Sequence, residues 1–230
     1  MGLGLATARA LREAGCEVVI CGRDRERIDR AAASIDATPV VADVSSAGGA
    51  RDFVAAAVDH LGGVDILITN AGGPPRGTFA TTPFDAYQPA LEQNLLSVVA
   101  MCTAALPAMQ AQRWGRVLGI TSVAVRQPIG TLILSNTARA GATAFLKTLA
   151  LEVAADGVTV NTIQPGYHAT DRLRVAFGDD LSELAGNVPA RRIGDPGDFG
   201  RIAAFLCSEH ASFLTGVAVP VDGGQYLGLQ

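Results

Sequence analysis

Aromatic side chains are scarce in this sequence: Phe, Tyr and Trp supply 5% of its 230 residues, with 3 Tyr and 1 Trp among them. A core built on large rings is therefore excluded, and close packing must come from aliphatic residues and from the abundant Gly and Ala. The four cysteines, Cys16, Cys21, Cys102 and Cys207, lack paired metal-ligand spacing. No metal site is expected, and in a chain of this size they read as reduced, mostly buried small apolar residues. Basic charge is thin as well, with 18 Lys and Arg against 22 Asp and Glu and a net charge of −4. Without a dense cationic cluster a nucleic-acid partner is not expected, because phosphate binding needs concentrated positive charge. No apolar run approaches the roughly 18 residues of a membrane span, and no secretory leader opens the sequence. The cytoplasm is the default location and no membrane partner is expected.

What is present is an alternation. Short apolar runs at Glu17–Cys21, Pro39–Ala42, Val64–Thr69, Val117–Thr121, Val158–Gln164 and Val217–Val221 read as buried strands. The stretches between them have the length of crossover helices, so the pattern predicts a doubly wound, mostly parallel α/β sheet. Gly15 and Gly157 read as helix stops, and Asp195-Pro196 as an N-cap followed by Pro in the first turn. No repeat or linker divides the chain, so residues 1–230 read as one domain. The longest polar interruption, Asp171–Asp195, follows the carboxyl end of a strand, where ligands bind in open α/β sheets. It reads as a substrate lid, with a plain surface insertion as the alternative.

Along this framework run several short motifs. Met1-Gly2-Leu3-Gly4-Leu5-Ala6 opens directly into a helix pattern, and Cys21-Gly22-Arg23-Asp24 follows a strand. Asp43-Val44 and Asn70-Ala71-Gly72 follow the next two, and Gly73-Pro74-Pro75-Arg76 continues the latter. Asn94 lies on a long helix, and Ser122 follows Val117–Thr121. Ser135 and Arg139 stand one helical turn apart, so their side chains share a face. Pro165-Gly166-Tyr167-His168 leads to Thr170; Arg192-x-Gly-x-Pro196 and Thr215-Gly216…Val221-Asp222-Gly223-Gly224 close the chain. A lone Gly-x-Gly or Asn-Ala-Gly is a common turn. In this order the motifs are jointly specific, and the sequence resembles the short-chain dehydrogenase/reductase family over essentially its whole length.

The resemblance implies a Rossmann-type fold and a nicotinamide cofactor. Gly2 and Gly4 match the second and third glycines of the family's Thr-Gly-x-x-x-Gly-x-Gly turn, which holds the pyrophosphate at a helix N-terminus. The family's first strand and the first half of that turn are absent from the sequence. That strand belongs in the centre of the sheet, and its loss would leave two backbone edges, at about 1–3 kcal/mol for each buried unsatisfied group. A start assigned too late, a trimmed chain and a rearranged sheet all fit; the intact downstream elements favour the first two. Arg23, where NAD-preferring members carry an acid, favours NADP over NAD. Asp43 and Val44 match the pair beside the adenine. Asn70, Ala71 and Gly72, then Pro165, Gly166 and Thr170, match segments that adjoin the cofactor.

In the reaction centre the resemblance implies a departure. Ser122 matches the family's serine that hydrogen-bonds the substrate oxygen, but the positions of its catalytic tyrosine and lysine hold Ser135 and Arg139. An aliphatic hydroxyl is a far poorer acid than a phenol, and a guanidinium stays charged and presents a planar donor fork. Ser135 or Asn94 is then expected to hold a proton-relay water, and Arg139 to orient ribose or a substrate carboxylate. Arg76, Tyr167 and His168 are candidate substrate residues, although a satisfied loop histidine is the better single reading of His168. The Ser-Asn-x-x-Arg-Ala-Gly pattern resembles an atypical subgroup described as 3-oxoacyl-ACP-reductase-like. The expected function is an NADP(H)-dependent oxidoreductase acting on a carbonyl or hydroxyl of a small-molecule or acyl-type substrate. A cofactor-independent lyase, isomerase or cyclase, or a non-catalytic oligomer partner, are the alternatives. The family's pairing of long helices implies a homodimer or homotetramer, and small residues from Thr137 to Ala144 keep one helix thin enough for it.

Overall fold

The computed structural model describes residues 2–229. Its strands are β1 (Val19–Gly22), β2 (Thr38–Val41), β3 (Ile66–Thr69), β4 (Gly115–Ile120), β5 (Val158–Pro165) and β6 (Ala218–Val221). Each lies within about two residues of its predicted run, and every pairing between them is parallel. The connecting helices are α1 (Leu3–Glu13), α2 (Arg25–Ala33), α3 (Ala47–Leu61), α4 (Tyr87–Leu91), α5 (Ser97–Ala111), α6 (Ile133–Val153), α7 (Asp171–Phe177), α8 (Ser182–Gly186) and α9 (Pro196–Leu206).

Because strand side chains alternate, the central strands feed two cores. Val117, Val158 and Val160 join apolar residues of α3, α5 and α6 on one face. Leu118, Ile120 and Ile163 meet Leu11 of α1 and Phe199, Ala203 and Leu206 of α9 on the other. This is the doubly wound α/β arrangement expected from the sequence. The local signals also hold. Gly15, at φ 92°, follows the end of α1, and Gly157, at φ 77°, follows the turn after α6; both conformations favour glycine. Asp195 caps α9 by accepting from the N–H groups of Gly197 and Asp198 at 2.7 and 3.2 Å.

The sheet is interrupted where a strand was expected to be missing. β1 pairs only with β2, and β3 to β6 form a separate sheet in the order β3-β4-β5-β6. Between β1 and β3 lies a cavity of about 830 Å³, lined by Val19, Ile20 and Cys21 on one side and Ile66, Leu67 and Ile68 on the other. The strand order is not rearranged to close it. The expectation of no membrane-length apolar segment needs correction: the helical stretch Phe84–Ala111 is long and apolar enough to cross a membrane. Within the fold it is a core helix, since Met101, Cys102, Ala105 and Met109 are buried against the sheet.

Candidate active site

The nucleotide end of the site sits at the carboxyl ends of β1 and β3. Gly2 caps α1 with extended backbone, and a Cβ on Gly4 would come within 2.4 Å of the Asn70 amide nitrogen. A side chain at Gly4 would displace the Asn70 amide from this position. Gly2, Gly4, Arg23, Val44 and Asn70 line the gap between β1 and β3, whereas Asp43, Ala71, Gly72, Pro165 and Gly166 do not. Thr170 joins them from beyond β5: its methyl lies 3.8 Å from where a Gly2 Cβ would stand. The Asp43 carboxylate is held below its usual range by the Ser45 side chain and backbone N–H, with the charge of Arg23 adding to the effect. Arg27, which belongs to none of the sequence motifs, lines the same cavity as Arg23. Asp24, between them, uses its carboxylate to cap α2 through the Arg27 N–H at 2.9 Å. A helix N-terminus opened by Gly2, with guanidiniums and the apolar side chain of Val44 nearby, suits an adenine dinucleotide.

The reaction end is built on β4 and α6. A Cβ on Gly119 would fall 2.4 Å from Leu146, so glycine lets α6 lie close on β4 and brings Ser135 and Arg139 under the strand's carboxyl end. The loops above are tied together: the Gly77 N–H donates to Thr131 at 2.9 Å, and the Asn136 amide donates to Ile129 at 2.9 Å. Ser122 is half-buried, and its Oγ accepts the Ala124 N–H at 3.1 Å, which leaves the hydroxyl hydrogen to donate elsewhere. Ser135 is buried on the first turn of α6.

Arg139 is buried too, and its guanidinium faces backbone. Nη1 donates to the carbonyls of Ile120 at 2.9 Å and Thr121 at 3.4 Å, and Nη2 to Ala71 at 3.4 Å. The guanidinium thus straps the ends of β3 and β4 together beneath the cleft, where the sequence suggested a ribose or carboxylate contact. Burial, and then the charge of Arg172, lower its pKa from 12.5 to about 10. Beside it, Asn94 lies in a π-helical turn at Glu92–Leu96, fully covered, with neither amide atom paired to another described residue. A pocket of about 10 Å³ touches Asn94, Thr121 and Arg139, and the Thr121 Oγ1 is likewise unpaired. That space and those polar groups suit one water.

Beyond β5 the chain divides its candidates. Tyr167 faces α7, edge-on to Phe177 at 6.1 Å between ring centroids. His168 turns the other way, 5% exposed, with its ring against Phe199 at 5.2 Å and its Nδ1 3.2 Å from the Gly166 carbonyl. Its assignment as a substrate residue is therefore corrected: it is an interior loop residue, its pKa lowered first by burial. Arg76 stands at the mouth, its guanidinium 5.1 Å from the Phe177 ring centre and donating to Thr131 Oγ1 at 2.8 Å. Opposite is Arg172, which the sequence did not single out; its guanidinium rests on Gly73 so closely that a Cβ there would lie 2.1 Å from it. The Asp171–Asp195 segment carrying it holds α7 and α8 and is largely exposed.

Residues 1–225 match the family model described as Enoyl-(Acyl carrier protein) reductase. The chain is 34% identical to Dehydrogenase/reductase SDR family member 4 of Oryctolagus cuniculus, an alignment covering 97% of this chain and 89% of the relative. It is 30% identical to the 3-oxoacyl-acyl-carrier-protein reductase FabG of Vibrio cholerae, over 98% and 93% of the two chains. Among solved structures it resembles an NADPH-bound short chain oxidoreductase from Pseudomonas aeruginosa PAO1, described as containing an atypical catalytic center. That pair shares 32% identity with a TM-score of 0.92, over 100% of this chain and 94% of the other. The L-sorbose reductase of Gluconobacter frateurii, in complex with NADPH and L-sorbose, matches at 30% identity and a TM-score of 0.92, over 99% and 94%.

Proposed function

Because the chain belongs to the short-chain dehydrogenase/reductase family and is an NAD(P)-dependent oxidoreductase, we propose that it works with NADP(H) on a carbonyl or hydroxyl of a small or acyl-type substrate, with a water replacing the usual tyrosine. The observation that carries this reading is the small polar pocket at the carboxyl ends of β3 and β4, where Asn94, Thr121 and Arg139 meet next to Ser122 in the chain. Bound nicotinamide supplies or accepts the hydride. The chain's own share is to handle the substrate oxygen and its proton. Ser122 keeps its hydroxyl hydrogen for that oxygen, since its lone pair already accepts the Ala124 N–H. Asn94 and Thr121 supply the unpaired polar atoms that would hold a water, and the Arg139 charge beside it favours giving up a proton. Arg23 and Arg27 on the rim support the preference for a 2′-phosphate, and two of the similar solved proteins are described with NADPH.

The test is a titration of the chain with NADPH and with NADH, followed by turnover on a panel of carbonyl compounds. NADPH should bind more tightly than NADH, and Ser122→Ala should lower kcat roughly 10²-fold, as loss of one oriented donor does. Nucleotide binding with no turnover on the panel would favour the non-catalytic partner, and turnover without nucleotide the lyase, isomerase or cyclase.

A further inference from the structure

The α6 face of β5 changes character along its length. Val158 and Val160 face α6 in the apolar core while Ile163 belongs to the opposite core, so strand alternation places Thr162 and Gln164 on the α6 side. Gln164 is fully buried, and neither its Oε1 nor its Nε2 is paired with another described residue; the Thr162 hydroxyl is buried and unpaired as well. A buried amide with all its bonds unspent is costly, and protein interiors keep such a group where a polar partner is close. The register names that partner. Ile120 stands opposite Ile163, and the Thr121 N–H continues the ladder by donating to the Ile163 carbonyl at 3.0 Å. Thr121 is therefore the next residue across from Gln164, about 5 Å away on the neighbouring strand. Both side chains leave the sheet towards α6, since a Cβ on Gly119, two residues before Thr121, would meet Leu146 of that helix. The Thr121 hydroxyl is itself buried and unpaired, and Thr121 lines the small pocket with Asn94 and Arg139. One residue thus joins the buried amide of β5 to that pocket.

We propose that Gln164 is a further positioning residue of the reaction centre, acting through Thr121. Its amide oxygen takes the Thr121 hydroxyl hydrogen, directly or through one water, and so turns the hydroxyl's lone pairs towards the pocket. A water held there with Asn94 must then donate to Thr121, which fixes the hydrogen and lone pairs that remain for the proton transfer. A side chain this deep touches neither substrate nor nucleotide, and its effect falls on the proton step alone. The proposal rests on the water-relay reading above, and the experiment separates the two.

Gln164→Leu and Gln164→Met each remove the amide at similar volume, and Thr121→Val removes the hydroxyl; whichever Gln164 variant folds serves the test. On a carbonyl compound that the parent reduces with NADPH, kcat of the Gln164 variant should fall about tenfold or more, with KM and the NADPH Kd held within about twofold. Its solvent deuterium isotope effect on kcat should exceed the parent's, because the proton step has slowed. Thr121→Val should cost a similar factor, and the double variant no more than either single one. The Tm should show the same coupling: each single variant strands the other group, so the double variant should melt no lower than the less stable single one. An unchanged kcat, or a KM or NADPH Kd that moves in its place, would overturn the role. So would losses in kcat and Tm that simply add. In a chain that turns over none of the carbonyl panel the water-relay reading falls instead; a non-additive Tm then leaves the Gln164–Thr121 pair standing, and additive shifts remove it as well.

Discussion

Arg139 carries its charge into a place where carbonyl oxygens, and no carboxylate, receive it. Of its three bonds, one at 2.9 Å is of good length and two at 3.4 Å are long. Bonds from a charged donor contribute about 1.5–3 kcal/mol when well formed, so this set offers roughly 2. Against that, a pKa pushed from 12.5 to about 10 corresponds to on the order of 3 kcal/mol of charge-burial penalty. The two are of similar size, and Arg139→Met, which keeps the volume, also takes the donor from the Ile120 and Thr121 carbonyls, so the melting temperature should move by only a few degrees. Activity should fall at least tenfold in the same variant. A drop in stability of more than about 3 kcal/mol by denaturant titration would show that the strap matters to folding more than the charge costs it. The spacing of Ser135 and Arg139 was legible from the sequence because a helical turn fixes which side chains share a face. The orientations of His168 and Arg172 were not. The first is set by Phe199 and Gly194, which reach it from a distant part of the chain, and the second by the bare backbone of Gly73.

Among the elements, β4 and β5 were legible because burial on both faces writes a continuous apolar run, and the partly buried β1, β2, β3 and β6 because their short apolar runs are set off by helix-length gaps, from which the parallel order also followed. The π-helical turn at Asn94 left no comparable mark, since its residues suit an ordinary helix equally well. The gap between β1 and β3 was anticipated only through the family resemblance; the folded chain gives it a volume of about 830 Å³ and walls of apolar side chains. β1 and β3 are each paired on one side only, so a strand laid between them would meet an open edge on each and lead into α1 at Gly2. A chain extended ahead of Met1 by about six β-branched residues, the usual strand length, should therefore melt several degrees higher. It should also bind NADPH at least tenfold more tightly, because Gly2 and Gly4 would be fixed at the end of a paired strand. Cys21 lines the gap, its thiol pushed up to about 11 by burial and then by the charge of Asp43. Its alkylation should slow further in the extended chain, whereas a Gly- and Lys-rich extension of the same length should change none of these properties. Equal behaviour of the two extensions would mean that the cavity does not accept a strand.

For the molecule as a whole, the surface of α6 decides whether it stands alone. The small residues expected to thin this helix fall on two faces. Ala138 and Ala142 are already buried in the protein's own core, while Thr137, Ala140 and Ala144 point outward. Further along the same outward face comes Leu151, 73% exposed. Small residues with an apolar one at the end allow two helices to approach closely, and an exposed leucine gains by being covered. We therefore propose that two copies of the chain pair through this face, the homodimer or half of the homotetramer expected from the sequence. The pairing should show as a dimer or larger species in analytical ultracentrifugation at micromolar concentration. Ala144→Arg, which sets a long charged side chain in the middle of the contact, should yield a monomer with an unchanged circular dichroism spectrum. If the Ala144→Arg chain sediments like the parent dimer, the contact lies elsewhere on the surface. A parent chain that sediments as a monomer would sink the expectation altogether, and the outward stripe on α6 would then be ordinary solvated helix.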